Sequence, residues 1–149
     1  MIQGKWYAPG TDLSPLLPLR KSLFGQQEDS LDPAGWNVLV YLDDLPVASG
    51  RIWWEADAFW LGKIGVLPEY RGRRLGDLVL RLLLFKAQSH SAREVRLTCP
   101  SSVSGFFSRL GFQHDPDQPP EEMVLPGDRI ELDQCKSCRK TDCPRRANG

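Results

Sequence analysis

Residues 65–77 read GVLPEYRGRRLGD, and residues 78–87 continue as LVLRLLLFKA. An apolar approach gives way to a loop holding Gly72, Gly76, Arg71, Arg73 and Arg74, and an apolar helix follows at once. The first backbone N–H groups of a helix have no partner inside it, and the helix dipole is positive there. Glycines let the backbone come close to a bound anion, and guanidinium groups add charge-assisted hydrogen bonds to phosphate oxygens. A strand–loop–helix of this composition is suited to hold a pyrophosphate. The alternative is a strand–helix turn whose arginines are simply solvated. A P-loop is excluded, because there is no G-x-x-x-x-G-K-[ST]. No G-x-G-x-x-G follows the first strand, which argues against a dinucleotide fold.

Working outward, the pattern predicts a short edge strand over 4–7. A helix follows, capped by Thr11 or Asp12 and running toward Phe24, with Pro15 and Pro18 disturbing its first turns. Residues 25–32 are polar and read as a loop. WNVLVYL at 36–42, VASGRIWWE at 47–55 and FWLGKIGVL at 59–67 read as three strands. Their short connections, the first through Asp43-Asp44, make them an antiparallel meander. Leu75, Leu78, Val79 and Leu82 recur at helical spacing and Phe85 follows, which predicts a largely buried helix. EVRLTCP at 94–100 is a strand reached through one crossover helix, so it lies parallel to the third strand. SVSGFFSRL at 102–110 is a second helix stopped by Gly111, and Phe112 opens a return strand. DPDQPP at 115–120 is loop, and residues 127–149 read as loosely structured. The fold class is α/β with a mixed, mostly antiparallel sheet flanked by helices.

The composition fits a soluble single domain. The chain has 149 residues, 41% hydrophobic and 26% charged. Lys plus Arg equals Asp plus Glu at 19 each, so the charge balance gives no reason to expect a nucleic-acid partner. No apolar run approaches the roughly 20 residues needed to span a bilayer, and no signal peptide is legible, so a cytoplasmic location is expected. The four cysteines are then expected as thiols or metal ligands. Residues 115–133 are acidic and 134–149 basic, and the second segment can fold back on the first.

The loop resembles motif A of the GCN5-related N-acetyltransferases, [Q/R]-x-x-G-x-[G/A]. Arg71 fills the first position and Gly76 the last, and Arg74 stands where the middle glycine is usual. VLPEYRG at 66–72 matches the family's approach to that loop. SGFFSRLGF at 104–112 resembles its second signature, F-Y-x-x-x-G-F. LRKSLFGQQEDSLD at 19–32 resembles small bacterial stand-alone members of the ElaA type, with Gln27-Glu28 where those carry E-Q. The order of elements is also the family's.

The resemblance implies an acetyltransferase domain over 1–126, which leaves residues 127–149 as a separate Cys-containing basic tail. It implies acetyl-CoA in a gap between splayed parallel strands, with backbone groups of Ile64 and Val66 on the pantetheine. Arg71, Gly72, Arg73, Arg74, Leu75, Gly76 and Asp77 would wrap the diphosphate. It implies direct attack of a primary amine, on a small molecule or a protein, with the Val66 N–H on the oxyanion; a homodimer is compatible. The family's usual strand carboxylate is missing, since LGKI offers Lys63; Glu28 is the first candidate base and His114 the second. The usual Tyr acid is replaced by Phe107, a core aromatic, leaving Ser104, Ser108 or water. Trp53 and Trp54 point to opposite faces, and core packing is the expected role of either. The competing reading is a coenzyme-A-binding module or sensor without catalysis.

The resemblance is silent on the tail. Cys135, Cys138 and Cys143 form C-x-x-C-x-x-x-x-C. Three thiolates at that spacing can grip zinc, with His114, Cys99 or a partner chain as fourth ligand. An iron–sulfur cluster or three free thiols are the alternatives.

Overall fold

The computed structural model describes residues 1–25 and 34–132. Strand β1 (Ile2–Tyr7) precedes helix α1 (Leu17–Phe24). The two early prolines split the first helical segment into a one-turn 3-10 piece over Ser14–Leu16 and α1 proper. Asp12 accepts from the Ser14 amide at 3.0 Å and so anchors the entry turn, while Thr11 donates to Ala8 O. Residues 26–33 lie outside the described residues, and with them Glu28.

Strands β2 (Trp36–Leu42), β3 (Leu45–Glu55) and β4 (Ala58–Val66) form the expected meander. Two-residue turns with positive φ join them, at Asp43-Asp44 (50° and 70°) and Ala56-Asp57 (50° and 62°). That backbone matches the twist of tight hairpins, and Asp tolerates it better than most residues. Helix α2 (Leu75–Ser89) then crosses over to β5 (Glu94–Thr98), which runs parallel to β4. Helix α3 (Ser104–Ser108) is one turn long, preceded by a 3-10 turn over Ser101–Val103, and Gly111 at φ 103° lets the chain reverse.

The return half differs from expectation. Phe112 is buried, and the strand after it, β6, spans only Gln113–His114 at the outer edge. The strand that pairs antiparallel with β5 is β7 (Glu122–Pro126), which the sequence reading passed over. The sheet has seven strands in the order β1-β2-β3-β4-β5-β7-β6. The packed body also runs past Pro126: Ile130 is buried in the core, and its carbonyl accepts from Gln88 Nε2 at 3.3 Å.

Helix α2 covers one face of the sheet. Its buried stripe is Leu75, Val79, Leu80, Leu83, Leu84 and Ala87. The helical period was legible, but the stripe is rotated: Leu78 and Leu82 are only partly buried and Phe85 is exposed. Val38, Val40, Ile52, Leu61, Val95 and Leu97 meet it from the strands. The smaller helix α1 covers the other face, where Leu16 and Leu19 pack with Tyr7 and Leu39. Among the described residues no helix is long and apolar enough to cross a membrane.

The seat of α2 depends on Gly50. A Cβ there would lie 2.6 Å from Val79 Cγ1 and 2.9 Å from Leu83 Cδ1. Real carbons do not approach that closely, so any side chain pushes the helix off the sheet. Gly50→Ala is expected to cost about 1–3 kcal/mol by overpacking. Thermal unfolding checks it, and a melting temperature equal to that of the native chain would contradict this account of the helix seat.

Candidate active site

The site grows from the way β4 is paired. Along its length β4 is held by β3, but β5 follows it only over Phe59↔Val95, Trp60↔Arg96 and Leu61↔Leu97. Past Leu61 the two parallel strands part. The cause is a β-bulge: Ser49 faces Gly65 and Arg51 faces Gly62, so Lys63 and Ile64 oppose Gly50 alone. Lys63 takes φ 51° and its carbonyl accepts from Ser49 Oγ at 3.0 Å. The extra residue bends β4 away from its neighbour, as bulges do.

Strand alternation fixes what faces the resulting gap. The Leu67 N–H donates to Val47 O at 2.9 Å, so Leu67 points toward β3. Its predecessor Val66, opposite Ala48, therefore turns both its N–H and its C=O away from β3 and into the gap. A single turn over Pro68–Tyr70 follows, closed by Tyr70 N–H on Leu67 O at 2.9 Å. It brings Arg71 back beside the strand, where its Nε donates to Val66 O at 3.1 Å.

The loop then enters α2. Gly72 takes φ 84°, and a Cβ there would meet nothing within 4 Å, so conformation rather than space calls for glycine. Arg74 is the N-cap with φ 61° and ψ 24°, and its side chain makes no capping hydrogen bond. The first intrahelical bond runs from Leu78 N to Arg74 O at 3.1 Å. The amides of Leu75, Gly76 and Asp77 precede it and have no acceptor within the helix. Arg71, Arg73 and Arg74 are exposed around them, with the Arg73 guanidinium 5.4 Å from the Tyr70 ring centre. Asp77 pairs along the helix with Arg81 at 2.7 Å. A methyl on Gly76 would lie 3.5 Å from Phe106 Cζ and 3.7 Å from Val66 Cγ2. The ends of β4, α2 and α3 thus converge at the gap.

Other candidates fall elsewhere. His114 sits on β6, beyond β7 and β5, so three strand spacings of about 4.8 Å each separate it from β4. That placement removes it as a base at the gap. Ser104 Oγ donates to Ser101 O at 2.9 Å and Ser108 Oγ to Gly105 O at 3.1 Å, so each hydroxyl proton is turned into its own helical turn. Phe107 is buried between Phe106 and Phe112, with ring centres 5.0 and 6.0 Å away, as a core aromatic. Cys99 is buried with its Sγ 3.7 Å from Met123 Sδ, and burial pushes its thiol above the usual range. It is no accessible fourth ligand. Cys135, Cys138 and Cys143 lie outside the described residues, and among the described residues no cluster of three or more metal-ligating side chains is present.

On the α1 face of β3 and β4 lies a polar layer that the sequence reading missed. Arg20 is buried and its Nη2 donates to Asn37 Oδ1; the Arg51 guanidinium lies 4.6 Å from the Trp53 ring centre. Trp53 in turn covers Gly62, whose notional Cβ would be 3.0 Å from the indole. Leu23 and Phe24 of α1 cover Gly65, and Lys63 Nζ lies 5.1 Å from the Phe24 ring centre. The signal was the placing of Asn37 and Arg51 at matched positions of paired strands, which only the register reveals. A separate cavity of about 400 Å³, lined by Asp57, Arg93, Glu94, Arg96 and Glu122, lies at the opposite end of β4. It is not part of this site.

The backbone of Arg74 carries a measurable consequence. A left-handed conformation costs a non-glycine residue roughly 1–2 kcal/mol, part of which glycine returns as chain entropy. Arg74→Gly is therefore expected to stabilise the free protein by about 0.5–1 kcal/mol. Denaturant unfolding reads this directly, and a loss of stability would refute the strain.

The profile of the acetyltransferase (GNAT) domain matches residues 34–114. The Bacillus subtilis (strain 168) protein YyaT is 25% identical over 113 residues, covering 68% of this chain and 76% of that protein. Escherichia coli ElaA shares the fold with a TM-score of 0.68 at 21% identity, over 83% of this chain and 99% of that one. A GNAT-family acetyltransferase from Elizabethkingia anophelis, solved with acetyl-CoA bound, gives 0.66 at 16% identity, over 84% and 97%. The chain spans 44% of a Pyrococcus horikoshii protein of the same fold, with a TM-score of 0.62 at 23% identity and 76% of this chain covered. With more than half of its residues matched by the domain profile, and with the bulged strand, splayed pair and arginine-bearing loop in place, this chain belongs to the GCN5-related N-acetyltransferases, the family of acetyl-CoA-dependent acyltransferases.

Proposed function

We propose that the chain transfers acetyl from acetyl-CoA to a primary amine by direct attack in a ternary complex. The observation that carries this reading is the outward turn of Val66 beside the open amides of Leu75, Gly76 and Asp77. A pantetheine arm can pair with the gap side of β4, at Ile64 and Val66, as an added strand does. The diphosphate then reaches Arg71, Gly72, Arg73, Arg74 and the first turn of α2, where amides and guanidinium groups offset its charge. As the amine attacks, the thioester oxygen gains charge, and the Val66 N–H is a fixed donor for it. The thiolate of coenzyme A leaves, and the amine nitrogen loses a proton to a base, for which Glu28 is proposed. The acceptor would approach from the α1 side, past Phe24 and Lys63. Ser104 serves as the acid for the thiolate only if its hydroxyl turns away from Ser101 O; water is the alternative.

A second reading, a coenzyme-A-binding module without turnover, draws on Phe107 in place of a phenol and on the inward-turned serines. Calorimetry with acetyl-CoA and a screen of amines for thiol release separate the two. Tight binding with no thiol release from any amine would favour the module.

Val66→Pro offers a sharper test. It removes the proposed oxyanion donor while sparing the hydrogen bonds to β3, because the Val66 N–H faces away from that strand. Loss of such a donor costs about 2.7–4 kcal/mol in transition-state stabilisation, so kcat is expected to fall roughly a hundredfold or more. Thermal unfolding measured alongside shows whether the strand has survived; an intact fold with native kcat would refute the role of this amide.

We also propose that residues beyond the packed body form a tail separate from the acetyltransferase domain, with Cys135, Cys138 and Cys143 as zinc ligands. Metal analysis of the purified full chain against a chain truncated after Asp133 checks it. Zinc at one equivalent, lost on truncation, is the expected outcome; equal metal content in the two would end the proposal.

A further inference from the structure

The Val66–Leu67 peptide is gripped from both sides. Its N–H, on Leu67, donates to Val47 O of β3 at 2.9 Å. Its C=O, on Val66, accepts from Arg71 Nε at 3.1 Å. One amide plane is thus tied to the sheet on one edge and to the returning loop on the other. The tie matters because nothing in β5 reaches this far: parallel pairing ends at Leu61↔Leu97. With no partner on its β5 edge, a strand end frays more readily, and the preceding peptide, which carries the Val66 N–H, moves with it.

We propose that Arg71 is a positioning residue, whose side chain holds the Val66–Leu67 peptide from the loop side and thereby fixes the outward aim of the Val66 N–H. This rests on the coenzyme reading given above. The hydrogen bond uses Nε, the donor nearest the main chain, and does not draw on the four N–H groups of the two terminal nitrogens. The side chain therefore joins the thioester end of the site to its diphosphate end. Its hydrogen bond to the strand, rather than its charge, governs the chemical step.

Two near-isosteres separate the donor from the charge. Gln places an amide nitrogen at the same chain position as Arg Nε, with donors but no charge. Met places a methyl there, with neither. In the free protein, hydrogen–deuterium exchange at the Leu67 amide is expected to quicken in Arg71→Met and to stay native in Arg71→Gln. In turnover, Arg71→Met is expected to lose about tenfold in kcat, the scale of one hydrogen bond acting through geometry, while KM for acetyl-CoA rises alike in Arg71→Met and Arg71→Gln, since both lose the charge that faces the diphosphate. Arg71→Gln is expected to share that rise in KM but to lose less than about threefold in kcat, because its donor remains. The inference is overturned if Arg71→Gln loses as much kcat as Arg71→Met, or if Arg71→Met changes KM alone. It is also overturned if Arg71→Met leaves Leu67 exchange native. A native chain that binds no acetyl-CoA in calorimetry defeats the coenzyme reading instead, and exchange at Leu67 then decides by itself whether the clamp exists.

Discussion

Everything at the candidate site follows from β4 being bound on one edge and released on the other. β3 holds it as far as Val66, and β5 leaves it after Leu61. An interior strand with one unpaired edge exposes backbone donors and acceptors that elsewhere in a sheet are satisfied. The bulge at Lys63 and Ile64 opens this edge without unravelling the sheet, since Ser49 Oγ takes the bulged carbonyl and Leu67 rejoins the ladder through Val47. The opening is therefore rigidly framed, and a strand-like ligand can take the place that β5 vacates.

The framing depends in turn on how tightly the layers sit. Gly50 brings α2 onto β3 and so places the start of the helix at the end of β4. Phe106 of α3 closes over Gly76, and Leu23 and Phe24 of α1 close over Gly65. The two faces of the sheet consequently differ in chemistry. The α2 face offers apolar packing and open helix amides. The α1 face carries Arg20, Asn37, Ser49 and Arg51 beneath a helix, with Lys63 at its rim. Under the proposed reading, coenzyme and acceptor approach one strand from differently charged surroundings.

Much of this was legible in the residues. The meander, the crossover and the anion-suited loop have local signals: alternation, turn residues and helical spacing, each within a dozen residues. β2 spans the predicted 36–42, and the parallel relation of β4 and β5 follows from the single helix between them. The misses share a cause. β7 is five residues with two inward positions, Met123 and Leu125, bounded by prolines, and it becomes a strand because β5 offers a free edge. The buried stripe of α2 is rotated from the predicted one because leucines line most of the helix, and the sheet chooses among them. His114 looked close to the return strand in the chain, yet the insertion of β7 moves it to the far edge.

The sequence by itself determined most of the elements, the family and the chemistry of the loop, because periodicity, glycine placement and guanidinium spacing act over short stretches. Tertiary structure alone decided where β4 and β5 part, which way the Val66 N–H points, that Arg74 is held at positive φ, and that Arg71 reaches back to Val66 O. These depend on register between strands far apart in the chain and on a bulge that only pairing with β3 defines. No local pattern encodes the direction of a backbone amide once the strand beside it has gone.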